Sequence, residues 1–180
     1  MSSPVLAPKP PSVTGTRNPV RGDAFRLAWW SLRGLRHRLG QTGHDRWTAL
    51  VLAVLWWPTW PAQVLARLAL LNDPYRCYYF ASHGDAVIAI VRTPHGWRIT
   101  DHLSSRPGSQ AGGRLRSVVG PTLMRAADRE GILIYGLPAN ARLASWYASQ
   151  HAYDGAELDV LRGHLCVRRM PCRPSHEERP

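Results

Sequence analysis

Lysine is almost missing from this chain: Lys9 is the only one among 180 residues, so nearly all positive charge is arginine. Acidic residues are scarce as well, 12 against 23 Lys and Arg, which leaves a formal net charge of +11. That balance favours anionic partners: nucleic acid, membrane headgroups or a phosphorylated cofactor. Cysteine is rare. Cys77, Cys166 and Cys172 are odd in number and lack metal-ligand spacing, which argues against a disulfide scaffold and for a reducing, cytoplasmic compartment. The eight histidines are scattered with no H-x-x-x-H pair, so no metal site is expected. No apolar h-region follows the start, which argues against a signal peptide.

What is present suffices for a folded domain. Hydrophobic residues reach 44% and charged ones 19%, a balance that fits a packed core rather than a disordered chain. The length suits one domain with a tail at one or both ends. Residues 1–22 are rich in Pro, Ser, Thr and Gly and read as a disordered or loosely attached tail; residues 171–180 read as a second tail.

Residues 23–71 read as a basic amphipathic and apolar helical region. DAFRLAWWSLRGLRHRLG mixes Phe25, Leu27, Trp29, Trp30 and Leu32 with Arg26, Arg33, Arg36 and Arg38. Asp23 is a candidate N-cap and Gly40 a stop. Such a helix can cover a core with a solvated arginine face, or lie on an anionic membrane. WTALVLAVLWWPTWPAQVLARLALL follows, residues 47–71, with no charge before Arg67. Its length permits a membrane span. Pro58 and Pro61 interrupt it after an 11-residue run, so the expectation is two short helices forming a hairpin with a turn at WWPTWP. Its tryptophans suit either a headgroup interface or a core.

From residue 75 the period changes. YRCYYFASH, AVIAIVRT and WRITDHLSS, separated by Gly84-Asp85 and TPHG, read as an antiparallel three-strand meander. In the third strand, alternation places Trp97, Ile99, Asp101 and Leu103 on one face and Arg98, Thr100 and His102 on the other. The stretch SQAGGRLRS, residues 109–117, reads as a basic glycine loop before a helix in VVGPTLMRAADREG, with Pro121 in the first turn or at a kink and Gly131 as its end. ILIYGLPA reads as a short buried strand, NARLASWYASQ as a helix capped by Asn140, and LRGHLCVRR as a last strand. Small residues, free N–H groups and positive charge before a helix suit an anion, most often a phosphate.

With this order of elements, residues 72–170 resemble the GNAT superfamily of acyl-CoA-dependent N-acyltransferases. In that family the loop after the third meander strand carries Q/R-x-x-G-x-G/A, which holds the coenzyme A pyrophosphate. Gln110, Ala111, Gly112, Gly113 and Arg114 follow that pattern, and Leu115 departs from it at the last position. Leu103 and Ser104, at the end of the strand before it, would line the same site. A second family motif, N-x-x-A-x-x-x-Y, matches Asn140 and Tyr147 with the alanine displaced to Ala144. The resemblance implies Tyr147 as the acid that protonates the departing thiolate. It implies Asp101, or His102 beside it, as the base that deprotonates the amine. It also implies that the gap between WRITDHLSS and ILIYGLPA admits the pantetheine arm.

The expected fold is therefore α+β: a GNAT-like mixed, mainly antiparallel sheet flanked by helices, with an N-terminal helical region. The expected activity is transfer of an acetyl or other acyl group from acetyl-CoA to an amine of unspecified identity. The alternative is a membrane-associated, non-catalytic GNAT-like protein that meets an anionic membrane through residues 23–71. The charge alone would permit nucleic-acid binding, but no helix-turn-helix, zinc finger or RNA-binding motif accompanies it, and no specific nucleic acid is expected.

Overall fold

The computed structural model describes residues 5–41, 46–106, 109–136, 156–161 and 164–171. It is an α+β fold built on one mixed, mainly antiparallel sheet. Chain order runs β1 (Thr16–Arg17), α1 (Asp23–Gln41), α2 (Arg46–Leu71), β2 (Arg76–Ala81), β3 (Ala86–Thr93) and β4 (Gly96–Ser104). It continues through α3 (Ala111–Glu130), β5 (Ile134–Gly136), β6 (Ala156–Leu161) and β7 (His164–Arg169). The strands lie in the order β1-β2-β3-β4-β5-β7-β6. All neighbours are antiparallel except β4 and β5, which are parallel. A parallel pair needs a crossover, and α3 supplies it.

The meander forms as its alternation implies, with one interruption. Ile88 pairs with His102 but Ile90 pairs with Ile99, so β4 carries one extra residue at Thr100–Asp101. Such a bulge reverses side-chain parity beyond it. The expected single face is thereby split. Trp97 and Ile99 pack beneath α3, whereas Leu103 packs on the opposite face with Leu27, Trp30 and Phe80. His102, expected on the other side from Trp97, shares the α3 face instead and touches Gly112.

Each face has its own cover. On one, α3 lays down Ala111, Leu115, Val119, Leu123, Ala126 and Ala127 against Ile88, Ile90, Trp97 and Ile134. On the other, α1 lays Leu27 and Trp30 against Tyr78, Phe80, Val87 and Ala89, and α2 packs on α1 through Ala24, Ala28 and Val64, with Trp60 alongside. The helix α3 ends where Gly131 adopts φ 67° and ψ 31°. Its N–H reaches the Asp128 carbonyl, and the Ile132 N–H donates to the Ala127 carbonyl at 2.8 Å, the paired bonds of a Schellman motif. Ile132 thereby turns into the core.

Four expectations are corrected. First, the segment read as a loose tail is laid against the sheet from Ala7 to Arg17. Its prolines cannot donate, but their carbonyls accept: Trp97 Nε1 donates to Pro8 O at 2.8 Å and the Tyr79 hydroxyl to Pro11 O at 2.7 Å. Val13 joins the core, and Thr16–Arg17 pair with Ala81 and Phe80. Second, residues 46–71 are one helix, not a hairpin. Pro58 and Pro61 are both exposed, so the carbonyls they leave unbonded sit on the water side. Third, α3 begins at Ala111, before the end of the expected loop, because Ala111 and Leu115 extend the buried stripe by one turn. Pro121 is accordingly mid-helix and exposed. Fourth, the single last strand is two, with β6 and β7 antiparallel from Ala156↔Arg169 to Leu161↔His164.

Candidate functional site

The start of α3 is built by a contact between a strand and a helix without side chains. Gly112 is buried against the His102 ring, whose Nε2 lies 3.3 Å from the Gly112 carbonyl oxygen. A Cβ on Gly112 would stand 2.7 Å from that nitrogen, closer than packed atoms tolerate. Gly112 is therefore required by packing. Gly113 is different: a Cβ there would find only Arg116 Nη2 at 3.9 Å. It faces open space, beside a helix end.

That end has no side-chain cap. Gln110 holds the N-cap position without bonding a first-turn amide. The Arg114 N–H already donates to the Gln110 carbonyl at 2.9 Å. The first-turn N–H groups ahead of it, those of Ala111, Gly112 and Gly113, precede the first helical bond. Together with the helix dipole they give this corner a partial positive charge. Arg114 is exposed on its rim and lies 3.5 Å from Asp85 Oδ2. Leu115, expected against the cofactor, points inward at 3% exposure. Its bulk, off-pattern for a phosphate loop, belongs to the core. Ser104 donates to the Arg106 carbonyl at 3.0 Å, and Arg33 of α1 donates to the Ser105 carbonyl at 2.9 Å; both bonds hold the β4 end of the connection into α3.

The parallel pairing of β4 with β5 covers Trp97–Ile99 against Ile134–Gly136. Past the bulge, β4 runs on to Ser104, and no described residue of β5 follows it. The α3 amides and the end of β4 therefore meet on one side of the sheet's middle.

Asp101 projects to the opposite face. Its two carboxylate oxygens accept from Arg67 Nη1 at 3.2 Å and Arg76 Nη1 at 3.5 Å. Arg67 also donates to Ser31 Oγ at 2.9 Å, linking α1, α2, β2 and β4. Leu103 lies on that same face. The structure thus gathers Gln110 to Arg114 with His102 on one side and places Asp101 and Leu103 on the other. Asn140 and Tyr147 lie outside the described residues.

His102 is the titratable group nearest the α3 turn. Burial, reinforced by the positive charge of Arg116, pushes its pKa below the usual 6.5, against the opposing bond to Gly112. It is held neutral. Cys77, the thiol of β2, is pushed up by burial and is not a ready nucleophile. Among the described residues no group of three or more His, Cys, Asp or Glu could hold a metal.

Sequence reasoning missed the arginine cluster around Asp101. The signal was present in Arg67, the one charge inside an otherwise apolar run, which a helix buries only with a partner. Asp23, expected only as an N-cap, is instead a fully buried ion-pair centre: Arg17 forks onto its two oxygens at 2.7 and 2.8 Å, and Arg26 reaches it at 3.2 Å.

Comparison with family models, with curated proteins and with solved structures returned no match. Among the described residues no helix is long and apolar enough to cross a membrane.

Proposed function

We propose that this protein is an N-acyltransferase of GNAT type, moving an acetyl or other acyl group from acyl-CoA to an amine by direct attack on the thioester. The observation that carries the reading is the uncapped, glycine-rich first turn of α3, set against the last residues of β4. Three features of that turn fit a pyrophosphate. Its amides lack an intrahelical acceptor, Gly113 leaves room for close approach, and Arg114 adds a full charge at the rim.

Bound acetyl-CoA supplies an acyl group already activated as a thioester. The chain's own share is positioning and proton handling. Ala111, Gly112 and Gly113 hold phosphate oxygens through N–H groups. Ser104, on the last residue of β4, borders the path of the pantetheine arm. His102, held neutral, and Asp101, which accepts from the Arg67 and Arg76 guanidiniums, are the proton acceptors that β4 offers, one on each face. Tyr147 remains the proposed acid for the departing thiolate. Release of free thiol from acetyl-CoA, with a mixture of amino acids and polyamines as acceptors, tests the reaction. Thiol release should require an amine, and Tyr147→Phe should slow it about a hundredfold; amine-independent or absent release would contradict it.

A second reading has its own observation. Phe25, Val51, Val54, Leu55 and Leu65 are each more than half exposed, at 59%, 52%, 64%, 59% and 65%. Trp29 is 41% exposed beside them, with Arg33 stacked over its ring at 5.4 Å. An apolar face bordered by arginine suits an anionic membrane surface. Flotation with phosphatidylserine vesicles at low salt should carry the protein upward and fail for a Val54→Asp, Leu65→Asp double variant. Equal flotation of both proteins would overturn it.

A further inference from the structure

The sheet face beneath α1 and α2 carries a second cluster, on the side away from the α3 turn. Register sets Arg76, Val91, Arg98 and Tyr135 side by side on four neighbouring strands. Residues in register project to a common face. Here it is the face of Val87 and Ala89, which pack with Leu27 and Trp30. Arg76 and Arg98 flank Val91, two strand spacings or about 10 Å apart at the backbone. Tyr78 stands next to Arg76 on this face, and Arg67 reaches in from α2 to Asp101.

The charges do not balance. Arg67 and Arg76 share Asp101, and Arg76 also lies 3.4 Å from Asp73. Arg98 is half-buried, and no carboxylate among the described residues pairs with it. Its Nε is fully shielded from water and has no hydrogen-bond partner among the described residues. The Tyr78 hydroxyl is shielded as well, with the Arg76 guanidinium beside it. Three guanidiniums thus face two carboxylates, Asp73 and Asp101. Folded proteins rarely leave such groups unmatched, and a bound water, ion or ligand satisfies them.

We propose that Arg98, with Arg76 and Tyr78, binds the carboxylate of the amine acceptor, so that the substrate class is an amino acid or another amine bearing a carboxylate. One uncompensated positive charge matches a monoanion better than a phosphate dianion. A guanidinium fork matches the two oxygens of a carboxylate. A ligand held here rests on β4, the strand whose far end leads into the α3 turn. The substrate role rests on the acyltransfer reading; the anion site does not.

Arginine Nε–H signals in nitrogen-resolved NMR test it on the full chain. Acetate and glycine should shift the Arg98 signal saturably and leave that of Arg33 unmoved, while glycinamide should shift neither. Arg98→Met should weaken glycine binding about tenfold, and Arg98→Lys should restore part of it. The unchanged backbone spectrum of α3 would show that both variants fold. Absent shifts, equal shifts with glycinamide, or tighter binding of inorganic phosphate than of acetate would overturn the site. Coenzyme A added to the same sample reports on the α3 amides. If those stay still while Arg98 responds to acetate, the cofactor reading fails and the carboxylate site stands; the reverse pattern sinks the carboxylate site alone.

Discussion

Two adjacent glycines do different jobs. Gly112 lets the first turn of α3 press on His102, whereas Gly113 opens outward. Gly112→Ala should therefore lower stability by about 1 to 3 kcal/mol, the cost of overpacking a closed contact. Gly113→Ala should leave stability unchanged or raise it slightly, since alanine favours helix. Urea unfolding of the two variants distinguishes them, and equal losses would contradict the assignment of the faces. Acid stability is set at the same scale. Burial alone would raise the Asp23 carboxyl, but the bonds from Arg17 and Val20 and the charges of Arg17 and Arg26 outweigh it, holding it below 3.8. An unfolded Asp takes up its proton first, so this contribution is complete above 3.8 and is lost as pH falls through the folded value. His102 behaves alike at higher pH. Its unfolded form protonates near 6.5 while the folded form stays neutral, so stability declines as pH falls from 6.5 towards the folded value. Urea midpoints should thus fall in two stages on acidification. His102→Gln should remove the upper stage, and Asp23→Ala should lower stability at neutral pH by about 3 to 5 kcal/mol by leaving Arg17 uncompensated.

At the scale of elements, β4 is placed by its first residue. Gly96 has φ 135°, and its backbone lies so close to the Leu133 carbonyl that any Cβ would collide with it. The neighbouring Trp97 N–H donates to that same carbonyl at 2.8 Å. Gly96→Ala should cost at least about 2 kcal/mol in urea unfolding, through a strained backbone and a displaced β5; a wild-type midpoint would contradict this. Alternation and turn residues made the meander legible, and β-branched runs between Gly84 and TPHG left little choice of register. The bulge was not legible, because an extra residue shows only when both strands are aligned, and every side chain beyond it then changes face. Pro58 and Pro61 misled for a related reason. Whether a proline breaks a helix depends on which side faces water, and that is fixed by what α1 packs against. The N-terminal segment misled because its composition gives no hint of partners. Trp97 and Tyr79, about 70 to 90 residues onward, supply the donors that its proline carbonyls accept.

For the whole molecule, the glycine motif and the fold class were readable while the site's second half was not. The cradle lies within one short stretch, Gln110 to Arg114. The arginine cluster draws Arg67, Arg76, Arg98, Asp101 and Tyr78 from one helix and two strands of the meander, and only tertiary structure assembles it. The layers explain the division. With α3 and the N-terminal segment covering one face and α1 and α2 the other, the end of β4 meets the α3 turn on the first face and its flank meets the arginine cluster on the second. The proposed acyltransfer stands first on the α3 turn. Calorimetric titration with acetyl-CoA is the direct measurement, made on the wild-type chain and on Gly113→Glu, whose side chain would enter open space and place a negative charge before the first-turn amides. Micromolar binding that this variant loses by about a hundredfold or more, with its fold intact, is the expected result. Equal binding by both proteins, or none by the wild type, would contradict a coenzyme site at the start of α3.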